Sequence, residues 1–542
     1  MVSQHEDSGF HFSPRPNRAH EVSWRSWSPE AFEAAREADK PILLSISAVW
    51  CHWCHVMDES TYSDQGVIDL VNEQYVPVRV DNDVRPDVNQ RYNMGGWPTT
   101  AFLTPQGDIL TGATYLPPEQ MAGALAKVSS YYRQHKPEIA AEVLEGRKRA
   151  GAAVAASAGP LDEGLVDRVL GNVENAYDAT YGGFGTAPKF PQTDAIALLA
   201  EQSAVKGEPR LLEMARHTLA QMAGGGTYDH VEGGFFRYST TQDWSVPHFE
   251  KMLEDHAGLL SALALTGQAE ILDDAVRYLD TVLRDPDTGL YAGSQDADED
   301  YYSRDAGGRE QLKAPYVDRR VYVGWNCALA VAFLEADIRL GRPQLRERAL
   351  QLLERVFQGY SAPEGGLLHT DRAGGQLGDQ VWGLLAAVRA GWDGRARELL
   401  QHLEERYGDA QLGGYFDHAG GDQLGRLGQR LKPLAENSVA AVALHEIGET
   451  DRARRALESV ASLPRQYGLM AAAFARALDR VRRPQIKVTT TNRELAAAAL
   501  AAHPYAVVEL AGDERAIVCV GTVCLAPATT PEAVAEAVTS RV

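Results

Sequence analysis

A glycine followed at once by aromatic or large aliphatic residues recurs down the middle of the chain: YGGFG from Tyr181, EGGFF from Glu232, TGLYAG from Thr288, EGGLL from Glu364 and LGGYF from Leu412. The intervals run from 48 to 77 residues, room for two helices and a polar loop. Apolar residues at i, i+3, i+4 predict about twelve helices. They begin near Leu161, Thr193, Pro209, Phe249, Ala269, Trp325, Gln344, Asp379, Ala396, Leu434, Thr450 and Tyr467. Twelve helices make six hairpins, and no hairpin buries its apolar face alone, so neighbours stack in an open solenoid or a closed ring. Solenoid loops are short, whereas these reach about 35 residues and are rich in Gly, Asp, His and aromatics, as loops lining a site are. The expectation for residues 161–481 is a closed, all-α (α/α)6 toroid.

Two different patterns flank it. Within residues 1–135, short β-branched runs alternate with polar helical segments, the signature of an α/β unit. Strands are expected at Pro41–Trp50, Tyr75–Val80, Thr99–Leu103 and about Asp108–Thr114, one helix over His55–Gln74, and another ending near Arg133. Residues 136–160, containing the Ala/Gly-rich stretch Ala140–Pro160, read as a helical or loose linker. Residues 482–542 read as a small α/β segment: strand IKVTTT, helix RELAAAALAAH, strand YAVVEL, hairpin AIVCVGTVC and a final helix PEAVAEAVTSR.

Lys and Arg number 53 against 74 Asp and Glu, a net charge of −21. Such a field repels nucleic acid and anionic lipid, so neither is an expected partner. No apolar run approaches the roughly 20 residues that span a bilayer, and the first 21 residues have no apolar stretch of the export type, so a cytoplasmic location is expected. Five cysteines are too few for a disulfide framework, which makes any pair at catalytic spacing informative.

Trp50-Cys51-His52-Trp53-Cys54-His55 is such a pair, placed between an expected buried strand and an expected helix. Unpaired N–H groups and the dipole at a helix start stabilise a thiolate, the form that attacks disulfides. Cys51 is then the nucleophile and Cys54 the resolving thiol, with His52 or His55 adding charge or carrying a proton. Gly95-Gly96-Trp97-Pro98-Thr99 lies further on, where a cis bond before Pro98 can present the backbone of Trp97 to the thiol. Two inert cysteines, or half of a zinc or haem c site, are the competing readings. No metal and no cofactor is expected. Cys519 and Cys524 flank a tight turn and are read as buried thiols, with a disulfide or metal as the minority alternative.

KPILLSISAVWCHWCHVMDES, VPVRVDNDVRPDVN and GGWPTTAFLTPQGDILTGATYLP together resemble the N-terminal domain of the spermatogenesis-associated, YyaL-type thioredoxin-domain family. GGFGTAPKFP, GGGTYDHVEGGFFRYSTTQDWSVPHFEKMLEDHA, QDADED, GGYFD and ENSVAAVAL extend the resemblance over nearly the whole chain. It implies a thioredoxin fold followed by a six-hairpin toroid of the kind seen in N-acylglucosamine 2-epimerases and glycosidases. Asn82-Asp83-Val84-Arg85-Pro86 stands where the family usually carries Arg-Glu-Glu-Arg-Pro, and the segment after it is shortened.

In a toroid the N-termini of the inner helices meet around one cavity. Polar residues recur at these starts, at Asp194, Glu250, Asn326, Asp379, Glu436 and Asn437, with His248 and Glu250 expected in a first helical turn and His256 on the buried face. Asp229, His230, Arg237, Trp244, Asp296, Asp298 and Tyr415 are candidates for hydrogen bonds and an aromatic floor to a sugar, and Lys432 for an anchor to a hydroxyl or carboxylate or a pair with Glu436. First-turn carboxylates also cap helices with no ligand present, and His256 also reads as a satisfied core histidine. The resemblance to epimerases implies histidine acid–base chemistry at a sugar C2, while the carboxylates point to glycoside hydrolysis. The sequence therefore reads as a thiol–disulfide oxidoreductase domain, acting on a protein or small-molecule disulfide, fused to a sugar-binding or sugar-processing toroid. The alternatives are an epimerase or hydrolase with a structural thioredoxin-like domain, and a non-catalytic scaffold.

Overall fold

A computed structural model describes residues 9–371 and 373–540. The first eight residues, part of the stretch read for an export signal, lie outside the described residues, as does Arg541 of the expected last helix. The chain divides into two compact units, one of residues up to Val154 with Gly420–Arg430, the other of Ala155–Ala419 with Leu431 onward.

The first unit holds α1 (Pro29–Ala38), β1 (Ile42–Ser47), α2 (His52–Glu59), α3 (Gln65–Gln74), β2 (Val76–Asp81), α4 (Pro86–Tyr92), β3 (Thr99–Leu103), β4 (Ile109–Ala113), α5 (Pro118–Gln134) and most of α6 (Lys136–Ala156). The sheet order is β2-β1-β3-β4, with β1 parallel to β2 and antiparallel to β3, a thioredoxin-like sheet. The single helix expected over 55–74 is two, because Asp64 accepts from the Val67 amide at 3.0 Å and caps a fresh start for α3. Every residue of β1 is buried, so it is covered on both faces. Leu43 and Phe102 pack with Met57, Val67 and Leu125 on one face. Ile42, Leu44 and Ile46 pack on the other with Phe32, Val88, Tyr92 and Leu427. Leu427 arrives from more than 300 positions away with local support: the Tyr92 hydroxyl donates to the Gly107 carbonyl and accepts from the Arg426 amide, both at 2.7 Å. Here the backbones of Gly107 and Gly425 pass so closely that a Cβ on Gly107 falls 2.5 Å from the Gly425 Cα.

The second unit carries α7 (Leu165–Ala176), α8 (Thr193–Lys206), α9 (Pro209–Gly224), β5 (Tyr238–Ser239), β6 (Pro247–His248), β7 (Lys251–Met252), α10 (Leu253–Thr266), α11 (Ala269–Tyr278), β8 (Ser294–Gln295), the short α12 (Glu299–Tyr302) and α13 (Ala306–Arg309), and β9 (Val317–Asp318). Then come α14 (Val323–Leu340), α15 (Pro343–Gly359), α16 (Leu377–Ala390), α17 (Asp393–Arg406), α18 (Leu434–Glu446), α19 (Thr450–Glu458), α20 (Pro464–Tyr467) and α21 (Ala472–Val481). The helices α8, α10, α14, α16, α18 and α21 each pack on the next, and α21 packs back on α8, which closes an inner ring. This is the (α/α)6 toroid. Inner helices are buried nearly all round, as α14 is, whereas outer ones such as α19 bury one stripe, Ala453, Ala456 and Leu457.

The same unit ends in β10 (Ile486–Thr489), α22 (Arg493–Ala502), β11 (Val507–Glu509), β12 (Ile517–Val520), β13 (Val523–Cys524) and α23 (Pro531–Thr539). Its sheet order, β11-β10-β12-β13, and its strand senses repeat those of the first unit's sheet. Cys519 and Cys524 face one another across β12 and β13, with Cα atoms 3.9 Å apart, and are disulfide-bonded. The expectation of buried thiols is thereby corrected, since Cys524 lies on an exposed strand. Among the described residues no helix is long and apolar enough to cross a membrane.

Leu427→Ala should lower the stability of the first unit by about 2–5 kcal/mol, the cost of an emptied core site. Hydrogen exchange of β1 and β3 amides reads this out. Unchanged protection there would show that the distant segment only drapes over the core.

Candidate active site

Cys51 caps α2: its Sγ accepts from the Cys54 amide at 3.2 Å, and the two sulfurs form a disulfide. Both residues are buried, Cys51 at 4% and Cys54 at 2% exposure, while Trp53 between them is 48% exposed. On reduction the same amide and helix terminus face the Cys51 sulfur and favour its thiolate. Burial pushes His55 down to about 3, so this ring is neutral and adds no charge; of the two expected histidines only His52 remains for that part. Trp97–Pro98 is cis, and Trp97 lies edge-on to Trp50, ring centres 5.5 Å apart. Asp83, in the segment that departs from the family pattern, accepts from the Trp50 indole N–H at 2.6 Å. It fixes the residue before Cys51. A buried pair, Arg79 to both oxygens of Asp58 at 2.8 and 2.9 Å, ties α2 to β2.

In the toroid four of the five repeated glycine turns share one construction. Asp178, Asp229, Asp285 and Asp409 each accept, through the backbone carbonyl, from the amide of a glycine four residues on, at 2.8–2.9 Å. Their side chains accept from the amides two and three residues on. Three carry a buried lysine. Lys189 donates to Asp178 and the Gly182 carbonyl, Lys251 to Asp229 and the Gly233 carbonyl, and Lys432 to the Gly413 carbonyl beside Asp409 at 2.8 Å. The fourth residue of an inner helix then takes the amide just past the turn. His256 holds Phe235, Asn326 holds Tyr291, Gln380 holds Leu367 and Asn437 holds Tyr415, at 2.8–3.0 Å.

Several sequence candidates therefore do architectural work. Lys432 pairs with Asp409, not Glu436. Asp229 lies in a buried triad with Lys251 and Arg309. His256, pushed down to about 4 by burial, donates through Nδ1 to the Met252 carbonyl. Trp244 is fully buried with its indole on the Tyr181 carbonyl, so it forms no floor, and the buried Tyr415 gives its hydroxyl to Glu404. Asp298 caps α12. His230 is exposed on the Gly225 carbonyl. Asp194 pairs with Arg476. Asp379 closes a capping box on α16 and lies 3.0 Å from the buried His369. Asp296 is buried and accepts from the Ala297 amide. Burial raises the carboxyl of Glu436, and Asp417 raises it further.

His248 and Glu250 are not in a helical turn. Pro247–His248 pairs with Tyr238–Ser239 as β6 on β5, and Lys251–Met252 with Ser294–Gln295, so extended backbone persists until Leu253. The His248 Nδ1 donates to Glu250, 1% exposed, at 2.6 Å. Burial pulls this imidazole down, but the Glu250 carboxylate outweighs it and holds His248 above its ordinary value. Asp255, in the first turn of α10, joins them. Burial pushes its carboxyl up to about 6, with Arg237 opposing and Glu250 reinforcing, and its buried Oδ2 has no hydrogen-bond partner among the described residues. Tyr238 stacks on His248 at 4.9 Å and on Phe190, 42% exposed, at 4.7 Å. Asp255, Tyr238, Phe190 and His369 escaped the sequence reading. For Asp255 a signal existed: a first-turn carboxylate with no cation at i+3 or i+4.

The family model described as Thioredox_DsbH, protein of unknown function DUF255, matches residues 9–148. Spermatogenesis-associated protein 20 of Homo sapiens is 35% identical over 311 residues, 51% of this chain and 39% of that protein. The chain thus aligns over about two fifths of that relative's length. A cellobiose 2-epimerase of Spirochaeta thermophila is similar over 62% of this chain and 96% of its own, with 19% identity and a TM-score of 0.45. For a thioredoxin of Thermus thermophilus the figures are 20%, 89%, 23% and 0.19. The matched N-terminal domain carries the cysteine pair, and the 311 residues aligned with the human relative are about twice that domain's length, so the chain is similar to the spermatogenesis-associated protein over half of its own length.

Proposed function

We propose that the chain is a thiol–disulfide oxidoreductase joined to a sugar-binding or sugar-processing toroid, working in the cytoplasm on a protein or small-molecule disulfide. The observation that carries the redox part is the Cys51–Cys54 disulfide at the start of α2, with the Cys54 amide on the Cys51 sulfur. In the reduced enzyme the Cys51 thiolate attacks a substrate disulfide, forming a mixed disulfide and releasing one substrate thiolate. Cys54, deprotonated, then attacks the Cys51 sulfur, which closes the 51–54 bond and releases the second substrate thiolate. Cys54→Ser should accumulate mixed disulfides through Cys51 on incubation with oxidised glutathione or a disulfide peptide, and Cys51→Ser should not. Mass spectrometry separates the two; equal trapping by both removes the assignment.

The group of His248, Glu250 and Asp255 under the Phe190–Tyr238 stack supports the sugar reading. Aromatic faces take up the apolar face of a pyranose, while a histidine and a protonatable carboxyl serve as acid and base. Titration of wild type and His248→Asn with a monosaccharide and disaccharide panel, by calorimetry, tests it. Binding weakened tenfold or more in the variant is expected; a panel that binds neither protein favours the scaffold alternative.

Asp255 adds a pH dependence. Its folded value of about 6 exceeds the ordinary 3.8, so the folded state holds the proton more tightly and the resulting stability is present at low pH. It is lost as pH rises from about 4 to about 6, by up to about 3 kcal/mol. Asp255→Asn should remove that loss, so that thermal melts of the variant and wild type diverge between about pH 4 and pH 6 and differ by a constant amount above it, with the variant the more stable.

A further inference from the structure

The inner helices α14, α16 and α18 begin at the face just described and end at Leu340, Ala390 and Glu446. Their last turns, with α22 and β11, bound a cleft. Its inner part is lined by Glu335, Arg339, Arg346, Arg389, Glu446 and Arg480. A wider part of about 570 Å³ shares Arg346, Arg389 and Glu446 and adds Asp393, Arg397, Glu449, Gln485, Lys487 and Glu509, the last two ion-paired at 2.8 Å, so the net positive charge lies in the inner part.

The charges of the inner part do not balance. Arg389 grips Glu446 with bonds of 2.9 and 3.1 Å and reaches Glu335 at 2.5 Å, and Arg480 also bonds Glu446. Nearby, Glu201 is held by Arg476 and Asp337 by Arg493. Each carboxylate is therefore engaged by another arginine. Arg339 bonds only two backbone carbonyls, Leu500 at 3.4 Å and Pro504 at 3.2 Å, its buried Nε has no partner among the described residues, and the carboxylates that bear on it, Glu335 and Glu201, are bonded to other arginines. Arg346 makes no hydrogen bond or ion pair among the described residues; Asp337 and Arg493 are the charged groups that bear on it. Burial pulls both guanidinium groups below their ordinary value, as expected of cations short of counter-charge. Helix stabilisation explains Arg339, Arg389 and Arg480, each in the last turn of its helix, where free carbonyls are negative. It does not explain Arg346, fourth residue of α15, at the end where the dipole opposes a cation.

We infer that this cleft binds a small organic anion, with a phosphate or carboxylate group on Arg339 and Arg346 and a polar body in the wider part beside Arg397, Gln485 and Lys487. Guanidinium forks match both groups, and a preformed cavity whose Arg339 and Arg346 have no ion-pair partner of their own among the described residues gains counter-charge on binding instead of losing it.

The test uses the full chain. Thermal unfolding and calorimetry are run with inorganic phosphate, glucose 6-phosphate and citrate, the ionic strength held constant with sodium chloride. At least one anion is expected to raise Tm saturably. Arg346→Gln should weaken its Kd tenfold or more, and should match or exceed wild type in stability without anion, because Arg346 has no partner to lose. Arg339→Gln should weaken binding similarly, while Arg395→Gln, on the exposed face of α17, should leave it unchanged. A response to phosphate and the sugar phosphate alone assigns the phosphate group, and one to citrate alone the carboxylate; both support the site. Equal Kd in wild type and Arg346→Gln, no response to any of the anions, or an Arg346→Gln variant less stable than wild type without anion overturns it.

Discussion

Three buried ammonium–carboxylate contacts organise the mouth of the toroid. Lys189, Lys251 and Lys432 each sit against the aspartate of a glycine turn and bond a glycine carbonyl of that turn. Removing one partner of a buried pair typically costs about 3–5 kcal/mol, because the other charge stays behind uncompensated. The turns so held place the amides that His256 and Asn437 take up, and these in turn fix where an inner helix starts. Glu250 immediately precedes Lys251, so the contact that fixes a turn also fixes the backbone bearing the candidate acid and base. A site carried on loops inherits rigidity in this way from the frame beneath it.

The dithiol is supported differently. The groups set against the Cys51 sulfur are a helix terminus and one amide, while His55 is neutral and the Arg79 charge is spent on Asp58. Asp83 holds Trp50 directly before Cys51. Asn82 and Val84 carry no charge in that stretch, while the carboxylate of Asp83 performs this positioning task and Arg85 pairs with Asp87.

Much of this was legible from residue order. Helical spacing located the twelve main helices of the toroid because inner and outer helices alike carry long apolar stripes. It failed at Pro247–Met252, where strands two residues long are too short to show a period of two, so PHFEKML reads as a helix start. Trp244 looked like a binding platform because sequence reports residue type and not enclosure; its ring is packed against Gly183. Polar residues mark the helix starts, but residue type alone does not separate one that grips a neighbouring turn, such as Asn326, from one that pairs with an arginine, such as Asp194. The contribution of Gly420–Arg430 to the first core was invisible for another reason. A glycine-, leucine- and arginine-containing loop carries no local mark of a partner over 300 residues upstream.

That segment sets an order of events during synthesis. When the ribosome has released Val154, the sheet that carries the cysteine pair still lacks Leu427, a fully buried member of its core. At about 5–20 residues per second, translation needs tens of seconds more to deliver it. Until then one face of the sheet is open, and most of the toroid has left the ribosome before that face closes. A fragment cut at Val154 would keep the cysteine pair but leave the Leu427 vacancy permanent.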